Sequence, residues 1–124
     1  MNEISKNDIS ITIDLIQNGI RIHKPVYRLL GSPKYLQLLI DPASKILALC
    51  PVSYYGDQCH KIRTNRMHSS NSYEIYSIAL VKKLCSIEAK FSSGYSYSVK
   101  GFYLSDKNIV LFSLDKAVKI ERES

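Results

Sequence analysis

Ile9, Ile11, Ile13 and Leu15 alternate with Ser10, Thr12 and Asp14, a period of two that predicts a half-buried strand. Gln17-Asn18-Gly19 follows as a turn, because an Asn-Gly pair tolerates positive φ. Ile20 and Ile22 then resume the inward positions, with Arg21 and His23 outward. Pro25 suits the first turn of a helix, where its missing N–H would be unbonded anyway. Val26, Leu29 and Leu30 continue at helical spacing and Gly31 is placed to stop it, so the pattern predicts a short helix over 25–30. Such a helix is too short to stand alone and must be held by strands. Residues 34–40 read as the next strand, Asp41-Pro42-Ala43-Ser44-Lys45 as a turn, and 46–52 as the returning strand.

The same order restarts more loosely after a connector at 53–59. Residues 60–67 suit a strand, 68–72 a polar turn and 73–76 a short strand. Ser77 can cap a helix over 78–86, and 95–104 then reads as a strand that turns at 105–108 and returns through Ile109. Strand, turn, strand, short helix, hairpin therefore occurs twice, in residues 1–52 and again, divergently, in 60–124. A chain of 124 residues makes both halves parts of one compact, strand-dominated α+β domain. The core is expected at Ile11, Ile13, Ile22, Val26, Leu30, Leu38, Ile46, Ile75, Leu84, Val99 and Leu111.

Composition adds bounds. The longest apolar runs are far too short to span a bilayer, and the polar opening MNEISKNDIS is unlike a signal peptide. The expectation is a cytoplasmic protein with no membrane contact. Three cysteines, Cys50, Cys59 and Cys85, lack metal-ligand spacing and read as free thiols. His23, His60 and His68 have no carboxylate at a triad or ligand spacing, and no Gly-rich phosphate loop is present. The expectation is therefore no enzyme, no catalytic residue, no metal and no cofactor. The net charge of +6 points toward nucleic acid. Nine tyrosines and no tryptophan suit either strand surface or a contact face.

The run ITIDLIQNG, IRIHK, PVYRLLG and YLQLLIDPASKILAL resembles the swapped-hairpin DNA-binding domain of the AbrB and MraZ regulators. It matches that family's strand, Gly-containing loop, second strand, short helix ending in Leu-Gly, and hairpin around an acidic turn. Residues 60–114 resemble it more faintly, and two copies in one chain resemble the MraZ arrangement. The resemblance implies a tandem pseudo-dimeric barrel with one short helix per half, and a DNA-binding function. Ile20 stands where the family has an arginine after the loop glycine, and His23 where it has a proline. The residue four after Asp14 is Asn18, where the MraZ type has an arginine.

Two functions follow as expectations. The first is a regulator that binds double-stranded DNA, specifically or generally, through a basic strand face. Its candidate contacts are Arg21, Lys24, Arg28, Lys61, Arg63, Arg66, Lys82 and Lys83. The second is a protein-interaction module on a repurposed swapped-hairpin fold, of the kind a mobile element could carry, with tyrosine-bearing strands as the contact. A homo-oligomer is compatible with either. One continuous basic face would favour DNA, and a flat apolar or tyrosine patch would favour a protein.

Overall fold

The computed structural model describes residues 9–53, 59–61 and 72–120; of 59–61 and of Ser72 it describes the backbone. Within these residues the first half contributes strands β1 (Ser10–Asp14) and β2 (Gly19–His23), helix α1 (Lys24–Leu29), and strands β3 (Tyr35–Asp41) and β4 (Ile46–Val52). The second contributes β5 (Cys59–Lys61), β6 (Ser72–Tyr76), helix α2 (Ile78–Ile87), β7 (Ser96–Leu104) and β8 (Ile109–Ser113). A single 3-10 turn, Leu114–Lys116, leads to the two-residue β9 (Val118–Lys119). The strands form one curled, half-barrel sheet in the order β5-β3-β4-β8-β7-β1-β2-β6, with β9 added on β7, and every pairing is antiparallel. Exchanging β1 with β5, β3 with β7 and β4 with β8 turns the first six strands of that path into the same path read backwards.

Local chemistry explains the elements. In the β1–β2 turn it is Asn18 that takes positive φ, at 58°, while the Asp14 carboxylate accepts from the N–H groups of Ile16 and Gln17. Gly19 is needed for a different reason: a Cβ there would lie 2.9 Å from Cδ1 of Tyr76. Helix α1 begins at Lys24 with Pro25 in its first turn, and ends as Gly31 and Ser32 both adopt positive φ. The Ser32 N–H then bonds the Tyr27 carbonyl, and the Gly31 N–H that of Arg28, closing the helix end. Ser77 caps α2 by accepting from the Leu80 N–H at 3.2 Å. The two long hairpins turn alike, with Lys45 at φ 58° and Asn108 at φ 53°. The β3–β4 turn is tied to the second half by a Lys45–Glu88 ion pair of 3.3 Å and by the Leu114 N–H on the Lys45 carbonyl.

The core draws on both halves. Ile11, Ile13, Ile22, Val26, Leu30, Leu38, Ile75, Leu84 and Val99 are buried as the pattern predicts. Ile46 and Leu111 are not: they are half-buried and point to the outer face. Their neighbours Leu47, Leu49, Val110 and Phe112 fill the interior instead. ILALC and IVLFS are apolar at every position or nearly so, so alternation cannot tell their inward from their outward side. A second difference lies in β1, where Ser10, Thr12 and Asp14 are buried along with the isoleucines. Side chains from β2 cover them, as described next.

Candidate nucleic-acid interface

The hairpin β1–β2 and strand β6 place the first candidate cation. Arg21 lies directly opposite Thr12 on one side and Glu74 on the other. Its guanidinium donates to the Asp14 carboxylate at 3.2 Å and the Glu74 carboxylate at 3.3 Å. Asp14 is further held by Ser96 Oγ, and Tyr76 donates its hydroxyl to Glu74 at 2.5 Å. That bond to Glu74 pushes the Tyr76 phenol up from its ordinary value. Two carboxylates around one guanidinium leave the Asp14–Arg21–Glu74 cluster, across β1, β2 and β6, with a formal charge of −1. Arg21 is thus a clamp across three strands rather than an unpaired cation on the surface.

Beside it, both ring nitrogens of His23 meet hydroxyls, Ser10 Oγ at 3.2 Å and Thr12 Oγ1 at 2.9 Å. Burial, and then the positive charge of Arg21, push its pKa below the ordinary 6.5, so the ring is held neutral. A serine on a histidine invites comparison with nucleophile activation. No carboxylate orients this ring in the described network, and Thr12 occupies the second nitrogen, which fits a structural bridge. Burial raises the Cys50 and Cys85 thiols above their ordinary values, away from the reactive thiolate. Among the described residues no group of three His, Cys, Asp or Glu side chains could hold a metal ion.

The other candidates divide by position. Lys24 opens α1 half-buried and Arg28 is exposed one turn later, at the helix C-terminal end where a cation is favourable. Lys82 and Lys83 are exposed on consecutive positions of α2. These four make no side-chain hydrogen bond or ion pair with another described residue. Lys61 lies on β5, where the backbone alone is described, and Arg63 and Arg66 lie outside the described residues. Helix α1 leaves the ribbon beside Ser72, and α2 leaves it beside Gly19, so the two cation pairs depart from opposite ends of β2–β6.

Sequence reasoning missed the partners of Arg21. Asp14 could have been found, since a tight β1–β2 turn sets Asp14 diagonal to Arg21. Glu74 could not, because its pairing joins residues 53 apart. The tyrosines also sort differently from one shared contact face. Tyr27 stacks on Tyr73 with ring centroids 4.2 Å apart, and Tyr97 is buried and bonded to the Lys90 carbonyl. Tyr76 and Tyr95 are exposed. No helix among the described residues is long and apolar enough to cross a membrane. No family model, curated protein or solved structure matches this chain.

Proposed function

We propose that this chain binds double-stranded DNA through the cations of the two helices, placed on phosphates either side of a groove, with the β2–β6 ribbon between them and its net-negative Arg21 cluster touching no phosphate. The observation that supports this is that α1, which carries Lys24 and Arg28, leaves one end of the antiparallel β2–β6 ribbon and α2, which carries Lys82 and Lys83, leaves the other. Five residues at about 3.3 Å each make that ribbon ~16 Å long. A B-form major groove is about 12 Å wide and admits a two-stranded ribbon, so phosphates on its two walls come within reach of the two ends. The swapped-hairpin, pseudo-dimeric architecture is part of the proposal. Its support is that the leading strand of each half pairs with the hairpin of the other, β1 on β7 and β5 on β3.

Because Arg21 is neutralised by Asp14 and Glu74, the phosphate contacts fall to the helix cations. Each phosphate neutralised contributes about 0.9 to the slope of log K against log salt through counterion release, so four contacts give about −3.6. Fluorescence anisotropy with a labelled duplex at several salt concentrations measures it. Replacing Lys82 and Lys83 by alanine should flatten the slope by about 1.8 units. Absence of binding at low salt, or a slope that this variant leaves unchanged, refutes the reading.

A protein-interaction module is the second reading, favoured by one observation. Leu39, Ala48, Leu111 and Phe102 form a continuous row across β3, β4, β8 and β7 on the outer face. Leu39 is 37% and Phe102 60% exposed.

A further inference from the structure

We propose that the outer face of the β3-β4-β8-β7 sheet receives a second copy of this chain. The copies pack face to face about a two-fold axis that runs along the strands, between β4 and β8. Three observations lead there, and none depends on the DNA reading.

The first is the chemistry of the row. Register places Leu39 beside Ala48, Ala48 beside Leu111 and Leu111 beside Phe102, so one apolar line crosses all four strands. Soluble proteins seldom leave such a line bare, and sheets with an apolar outer face cover it by packing on another sheet ~10 Å away.

The second is charge. One step along the strands, Asp41 lies beside Ile46 and Ile46 beside Ser113, while Lys100 precedes the Gly101 that faces Phe112. Continuing the β7–β8 register one residue past its last pair, Gly101–Phe112, sets Lys100 on β7 level with Asp41 on β3; both are exposed, and their strands are equally far from the line between β4 and β8. Rotation about that line sets Asp41 of one copy over Lys100 of the other, twice. It also sets Leu39 over Phe102 and Ala48 over Leu111, large against large and small against medium. A two-fold across the strands would instead bring Asp41 over the Gln37 level, with no opposite charge to meet. The contact is isologous and closes at two copies.

The third is size. Four strands ~4.8 Å apart and about six residues long cover at most ~400 Å² in projection, less where the curl of the sheet bends β3 and β7 away from a facing copy. A standard interface takes ~800 Å² from each partner, so this face supports only a weak dimer that depends on concentration.

Sedimentation velocity of the full chain over a wide concentration range tests the proposal. The expected result is a reversible shift from 14.1 kDa to twice that mass. Phe102→Lys, at an exposed position, should hold the chain at the monomer mass with an unchanged melting temperature. Lys100→Asp should weaken the dimer, and the exchange Asp41→Lys with Lys100→Asp should restore it. Asp41 also caps its turn through Ala43 and Ser44. If the lysine disturbs that turn, Asp41→Asn, which keeps an acceptor oxygen, should weaken the dimer without loss of melting temperature. A wild-type chain that stays monomeric throughout overturns the proposal and leaves the face to a different protein. A dimer that Phe102→Lys leaves intact overturns it too. One broken by Phe102→Lys but not rescued by the exchange overturns the proposed axis.

Discussion

Replacing Arg21 by alanine separates a structural clamp from a DNA contact. The side chain bridges Asp14 and Glu74, whose own side chains are 10% and 22% exposed, while Arg21 is 35% exposed. Exposed ion pairs contribute about 0.2–1 kcal/mol, whereas removing one partner of a buried pair costs about 3–5 kcal/mol. Arg21 lies between these limits and makes two pairs, so its loss should cost about 1.5–3 kcal/mol. For a chain of this size that is a fall of about 5–15 °C in melting temperature. Urea unfolding followed by circular dichroism and tyrosine fluorescence measures it, with the m-value expected to stay constant. A double-mutant cycle with Glu74→Gln should return a coupling of about 0.5–1.5 kcal/mol. The salt slope of DNA binding should barely move. A cost under about 0.5 kcal/mol, the noise level of a surface substitution, together with a flattened salt slope, would show that Arg21 acts on phosphate and that the clamp is wrong.

Other expected outcomes are local. Gly101→Ala should destabilise by about 1–3 kcal/mol through overpacking, since a Cβ would lie 2.6 Å from Phe112 Cε1 and 2.7 Å from Val110 Cγ1; an unchanged urea midpoint would contradict it. Leu30→Ala and Leu84→Ala should each cost about 2–5 kcal/mol in the same assay, because both side chains are buried under the two helices. His23 has a folded pKa depressed below 6.5, so the unfolded chain takes up the proton first. Its contribution to stability is complete above pH 6.5 and is lost as pH falls from there toward the folded pKa. His23→Gln should therefore flatten the pH dependence of the urea midpoint across that window, and a profile identical to wild type would refute the neutral bridge.

Legibility followed the pattern of each strand. In β1 and β2 polar and apolar residues alternate, and Ile11, Ile13, Ile20 and Ile22 lie inside as the alternation requires. The helices were legible from a few residues each, Pro25 and Gly31 for one and Ser77 for the other. In β4 and β8 the signal vanishes, because both faces are apolar, and the pattern places Ile46 and Leu111 inside although they face outward. A strand loses its alternation when its outer face is apolar as well. The cation face was the least legible part. Whether an arginine is free depends on what folds beside it, and Glu74 reaches Arg21 only through the β2–β6 pairing.

The position of the two proposed surfaces along the sheet makes them compatible. A dimer would cover β3, β4, β8 and β7, while β2 and β6 lie at the far end of the strand path with β1 between. Covering the first face would leave the outer side of the β2–β6 ribbon uncovered in each copy. The apolar row and the Arg21 clamp lie on opposite sides of β1, and Thr12 faces Ser98 of β7 on one side and Arg21 of β2 on the other. Along the outer face the residues thus change from Leu39, Ala48, Leu111 and Phe102 to Ser98, Thr12, Arg21 and Glu74 within a few strands. Burial of the apolar row is not screened by salt, but the two Asp41–Lys100 contacts of the dimer are, and the helix cations bind phosphate through counterion release, which salt opposes. The dimer should consequently weaken modestly with ionic strength, and DNA affinity should fall far more steeply, with the slope of about −3.6 that four phosphate contacts give.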